Sequence, residues 1–150
     1  MHCRDFALGA GRPIKENYVD SGQVRFVYRH FAFLGQESVW AAEATECADE
    51  QGRFWDYHDT LFDNWAGTNI GAYNYNNLIG FARILELDEE QFATCMNERR
   101  YVDRVRSDTE FAENNGVTST PTVFVNGERV RGVDFAPFRD AIEAALAATQ

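Results

Sequence analysis

From Gln36 to Asn115 apolar residues recur at helical spacing, with no strand-like alternation. Glu37 to Glu50 sets Trp40, Ala44 and Cys47 on one face at i, i+4 and i+7, and Gln51-Gly52 ends that helix. Phe54 to Asn64 is a short helix rich in aromatics, among them Phe54, Trp55, Tyr57 and Phe62. Thr68 to Tyr75 reads as a loop, and Asn76 to Leu85 aligns Leu78, Ile79, Ala82 and Leu85. Asp88 reads as an N-cap with Gln91 three residues on, and Leu87 and Phe92 sit as a hydrophobic staple. Tyr101 to Asn115 closes the helical group, with Asn115-Gly116 as its C-cap. Ahead of this block, Cys3 to Ala10 and Ile14 to Val19 are helical stretches separated by Gly9, Gly11 and Pro13, which predicts a kink. Val24 to Phe31 predicts a strand. Behind it, Thr122 to Val125 is a β-branched and aromatic run of strand length. Asn126-Gly127 is the hairpin dipeptide, since both turn positions need φ > 0, and Glu128 to Val133 reads as the returning strand. The last helix runs from about Phe135 to Ala148, with Phe138, Ile142, Ala145 and Leu146 facing inward.

The 150 residues are 45% hydrophobic and 25% charged, the proportions of an ordinary globular chain of one domain's length. A net charge of −10 disfavours nucleic acid and anionic membrane surfaces, which need a basic footprint. No apolar run reaches the roughly 18–20 residues of a spanning helix, and Met1-His2-Cys3-Arg4-Asp5 has no apolar core of a signal peptide behind it. Three cysteines, Cys3, Cys47 and Cys95, make an odd count, which points to a reactive thiol or a missing partner. Cys47 and Cys95 each lie on the apolar face of a helix. From the residues alone they are either a bridge, which would stabilise by roughly 4 kcal/mol through loop closure, or two buried thiols acting as small hydrophobes. The cysteines with His2, His30 and His58 match no zinc spacing, and no metal site is expected. Gly9 and Gly11 do not make a phosphate loop, and no organic cofactor is implied.

Pro121 stands at a strand entrance, where it removes no ladder hydrogen bond; from the residues alone a trans proline is the default. Gly116-Val117, Thr120-Pro121-Thr122 and Phe124-Val125-Asn126-Gly127 together resemble the cis-proline loop of thioredoxin-fold disulfide oxidoreductases, most closely the bacterial DsbA-like family. Gln51 to Phe62 (Gln-Gly-Arg-Phe-Trp-Asp-Tyr-His-Asp-Thr-Leu-Phe) resembles the signature of that family's helical insertion. Cys3-Arg4-Asp5-Phe6-Ala7 resembles the end of its Cys-X-X-Cys motif and the helix it opens.

The resemblance implies an α/β, thioredoxin-like fold with an inserted helical domain and the first strand missing. Residues 1–35 and 116–150 would form the thioredoxin-like core and 36–115 the insertion. It implies a thiol–disulfide oxidoreductase, oxidising or shuffling cysteines of exported proteins in an extracytoplasmic compartment. Thr120 and a cis Pro121 would hold the substrate strand. Cys3 would be the second cysteine of the motif, with His2 before it at a helix start whose exposed amides favour an anion. Cys47–Cys95 becomes the expected structural disulfide, because some DsbA-like proteins carry a second bridge at similar places. Substrates would be cysteine-containing proteins or peptides, and the redox partner another thiol protein or a membrane oxidase. The nucleophilic cysteine would fall just before Met1, so the expected reading is a truncated frame, inactive or impaired as written, with a strand, a cysteine and an export signal upstream. The competing expectation is a non-catalytic thioredoxin-like module that binds extended peptides or assembles through strand edges.

Overall fold

A computed structural model describes residues 2–149. The chain divides into two compact units, Met1–Tyr28 with Val117–Gln150, and Arg29–Gly116.

The first unit begins with one helical run, α1, made of the consecutive segments His2–Asp5, Phe6–Gly11, Arg12–Ile14 and Lys15–Val19. The second and fourth of these have the wider π turn. Pro13 lacks an N–H and its ring crowds the carbonyl one turn back. The expected interruption there takes the form of widened turns on either side, while Gly11 and Lys15 keep helical dihedrals. Ala7, Ala10, Ile14 and Tyr18 are buried, at spacings of three and four residues that make one face. That face packs against Phe138 and Ile142 of α7 (Phe135–Ala148), and the rings of Phe6 and Phe138 meet edge to face at 5.1 Å.

Residues 24–31 depart from the expected strand. Val24 and Phe26 turn toward the core while Arg25 and Val27 are exposed, so the alternation is present. The sheet among the described residues nevertheless contains only two strands, β1 (Val123–Val125) and β2 (Glu128–Val130). Alternation reports one-sided burial, whereas a strand is defined by its ladder. β1 and β2 are antiparallel, with Val123 opposite Val130, Phe124 opposite Arg129 and Val125 opposite Glu128. Asn126 and Gly127 turn the chain with φ of 49° and 88°. β2 ends at Val130, short of the expected Val133, and Gly132 takes φ of 124° just beyond it.

The Tyr18 hydroxyl donates to Glu143 of α7 at 2.6 Å, and this hydrogen bond to a carboxylate holds the phenol above its ordinary titration range. A raised folded-state value means the contribution is complete below the unfolded value, near 10, and is lost as pH climbs through the folded one. Melting temperatures across alkaline pH should therefore fall more steeply for the native chain than for Tyr18→Phe; parallel curves would show that the bond carries no stability.

The second unit holds α2 (Gln36–Asp49), α3 (Phe54–Asp63), α4 (Tyr75–Ile84), α5 (Glu89–Glu98) and α6 (Val102–Asn114). Its core gathers Ala44, Tyr57, Leu61, Leu78, Leu87 and Phe92 with Cys47 and Cys95, and Trp40 packs on it half-buried. The Tyr57 hydroxyl donates to the Leu78 carbonyl at 2.8 Å, and burial pushes its titration up. Asp88 caps α5 by accepting from the Gln91 amide at 2.9 Å. The reciprocal half of that cap comes from Gln51, whose side-chain oxygen accepts from the Asp88 amide at 2.8 Å. Asn74 caps α4 through the Asn77 amide, so that helix starts at Tyr75, inside the expected loop.

This unit also buries charge. Glu43 accepts two hydrogen bonds from Arg99 at 3.0 and 2.9 Å, and Glu46 meets the His30 ring at 2.8 Å. Asp108 of α6 accepts from the Arg29 guanidinium at 2.9 Å and from the His30 amide at 3.1 Å. Its neighbour Thr109 accepts from the Ala32 amide at 3.1 Å. Two side chains of a helix thus take up alternate backbone donors of an extended segment, as a neighbouring strand would. Among the described residues no helix is long and apolar enough to cross a membrane.

Candidate functional site

Cys3 lies in the first turn of α1, half-buried, with a free thiol. His2 beside it is exposed. The apolar face of α1 fixes this end of the helix: Phe6, one turn beyond Cys3, is held against Phe138, and Ala10 and Ile14 continue the same contact. Position 3 follows from that seating.

The Thr120–Pro121 peptide bond is cis, and both residues are half-buried. They enter β1, whose Val123 and Val125 pack with Val130 on the same cluster as α1 and α7. Two hydrogen bonds tie the loop. The Thr122 hydroxyl donates to the Ser119 carbonyl at 2.7 Å, and the Arg129 guanidinium donates to the Thr122 hydroxyl oxygen at 3.2 Å. Cys3, His2, Thr120 and Pro121 therefore belong to one unit, built on α7 from both ends of the chain.

Cys47 and Cys95 belong to the other unit. They form a disulfide with 5.9 Å between their α-carbons, joining α2 to α5 within the core. His58 is buried on α3 among Phe54, Trp55 and Phe62, with its Nδ1 2.9 Å from the Asp59 carboxylate. This is an aromatic packing site with a polar edge. Among the described residues no group of three or more histidine, cysteine or carboxylate side chains is arranged to hold a metal ion.

Sequence reasoning placed Thr122 in the loop without giving it a role, and it did not find Arg129. The signal was there. A two-residue turn at Asn126-Gly127 fixes the register, which puts Arg129 opposite Phe124 and on the same sheet face as Thr122. Diagonal neighbours on an antiparallel face lie about 7–8 Å apart, within reach of an arginine.

Comparison with known proteins adds a lineage to this geometry. A family model described as Thioredoxin matches residues 1–144. A protein named Na(+)/H(+) antiporter NhaA 1 from Salinispora arenicola is 33% identical over 146 residues, covering 95% of this chain and 22% of that protein. Probable disulfide bond formation protein D of Bacillus anthracis is 26% identical over 148 residues, covering 96% of this chain and 68% of the relative. The oxidised BdbD structure from Bacillus subtilis superposes with a TM-score of 0.85 at 23% identity, covering 97% of this chain and 80% of that one, a likeness of fold. The chain spans about a fifth of the length of the first antiporter-named relatives.

Proposed function

Because the chain belongs to the thioredoxin family, we propose that it is the catalytic module of a DsbA-like thiol–disulfide oxidoreductase working on cysteines of exported proteins. The observation that carries this reading is the presence, within one unit, of a free thiol in the first turn of α1 and a cis Thr120–Pro121 bond at the entrance of β1. A bridged Cys47–Cys95 agrees with an oxidising, extracytoplasmic setting. The antiporter-named relatives share with this chain nearly the same stretch that the thioredoxin model covers, so the function assigned is thiol exchange rather than ion transport.

Thr120 and Pro121 present the loop backbone to an extended substrate segment. Cys3 acts as the resolving thiol, with His2 as the second variable residue of the motif. The nucleophile of such a pair is the first cysteine of the Cys-X-X-Cys motif. In the oxidising direction a substrate thiolate attacks that sulfur in its bond to Cys3, and the Cys3 thiolate leaves. A second substrate thiolate then attacks the mixed disulfide and releases the nucleophile. Two electrons pass to the enzyme pair, and the two substrate thiol protons pass to solvent. Another thiol protein or a membrane oxidase reoxidises the pair.

These 150 residues carry one free thiol, and exchange within a protein uses two. A polypeptide starting at Met1 is therefore expected to oxidise a dithiol peptide, or reduce insulin, at close to the uncatalysed rate. A polypeptide lengthened by one cysteine ahead of Met1, which completes a Cys-X-X-Cys with Cys3, is expected to gain activity. An inactive longer product with its cysteine pair intact would reject the reading, and vigorous turnover by the chain starting at Met1 would reject the role given to Cys3.

A further inference from the structure

The substrate loop is tied down by a hydrogen-bond relay that runs across the hairpin. Thr122 uses its hydroxyl in both directions: the proton goes to the Ser119 carbonyl at 2.7 Å and the oxygen accepts from Arg129 at 3.2 Å. The first bond closes the turn Ser119–Thr122 around Thr120 and Pro121. The second fastens that turn to β2. Arg129 is directly opposite Phe124, which is 50% exposed, and it reaches Thr122 diagonally on the same sheet face.

We propose that Thr122 and Arg129 are positioning residues for the substrate-binding loop: the relay holds the Thr120–Pro121 backbone in the orientation that receives an extended peptide. This rests on the reading of Thr120 and Pro121 as substrate contacts. Both hydrogen bonds lie at the surface, where each contributes little to global stability because water competes for both partners. The relay lowers the conformational freedom of the loop before the peptide arrives, and an ordered loop loses less on binding than a mobile one. A residue with that role affects affinity more than melting temperature.

The test uses Thr122→Val, which keeps the shape and removes the hydroxyl, Thr122→Ser, which keeps the hydroxyl, and Arg129→Met, which keeps most of the stem. Each is compared with the native chain for binding of a short unstructured peptide with serine in place of cysteine, for amide exchange at Thr120, Thr122 and Val123, and for melting temperature. Thr122→Val and Arg129→Met should weaken binding about 3- to 10-fold, the equivalent of one ordinary hydrogen bond. They should also speed exchange at the three amides with little change in melting. Thr122→Ser should stay within about twofold of the native chain, since it keeps that bond. Unchanged exchange in Thr122→Val would overturn the relay, as would a serine variant as weak as the valine one. If the native chain binds no peptide while Thr122→Val still loosens the loop, the relay stands as a loop clamp and the substrate role of Thr120 and Pro121 falls.

Discussion

Reducing the Cys47–Cys95 bridge should lower the stability of the helical unit by about 4 kcal/mol, the loop-closure value for cysteines this far apart. The two residues are separated by 48 positions, and both are almost fully buried. α2 and α5 meet through them, between Ala44 and Ala48 on one side and Phe92 and Met96 on the other. Without the bond the reduced unfolded chain regains the freedom of the two intervening helices, α3 and α4, while the folded core keeps its packing. The unit is well suited to a clean measurement. The protein's three tryptophans, Trp40, Trp55 and Trp65, all lie in Arg29–Gly116. Tryptophan emission therefore follows that unit alone. Denaturant titrations with and without reductant, and of the Cys47→Ala/Cys95→Ala double variant, should both show the emission midpoint displaced. A displacement equivalent to less than about 1 kcal/mol, well below the loop-closure value, would mean that the reduced unit is already ordered by helix packing before the bond forms.

The second large effect lies in the other unit. Phe138→Ala should destabilise it by about 3–5 kcal/mol, the range for emptying a large buried aromatic site. Phe138 is fully buried, touches the Phe6 ring, and sits with Ala10, Ile14 and Ile142 in a small cluster. A core this small has few residues that can relax into the space. α1 depends on that contact for its seat, and Cys3 depends on α1. Labelling of Cys3 by a thiol reagent should accelerate well beyond the native rate, while the tryptophan transition of the helical unit stays where it was. Unchanged labelling would show that the first turn of α1 is held by something other than the Phe6–Phe138 contact.

The helices of Arg29–Gly116 were legible because apolar periodicity and caps carry nearly all the information there. Asp88 caps α5 as its sequence position implied, and Asn115-Gly116 ends α6. What periodicity missed is the charge inside. Glu43, Glu46 and Asp108 are buried, and a pattern that sorts residues by polarity sends all three to the surface. Their burial depends on partners distant in sequence: Arg99 for Glu43, His30 for Glu46, and Arg29 and the His30 backbone for Asp108. Such burial is sustained only where each carboxylate is paired. In the smaller unit the hairpin was fixed by Asn126-Gly127, whereas residues 24–31 had the alternation of a strand without a ladder in the sheet of the described residues. Ladder membership is a property of neighbours, which a local pattern does not contain. For the site, the loop was legible from Thr120, Pro121 and Thr122, but the part of Arg129 needed the three-dimensional face.

The smaller unit is assembled from the two ends of the chain, with Tyr18 reaching Glu143 across 125 positions. During synthesis the helical unit emerges whole and can form its core while residues 117–150 are still unmade. α1, although translated before that unit, has no place to bury Ala10, Ile14 and Tyr18 until Phe138 and Ile142 leave the ribosome. α1 precedes the helices of Arg29–Gly116 in the chain and docks after they have packed. Until that docking the Cys3 thiol is open to solvent and to other thiols.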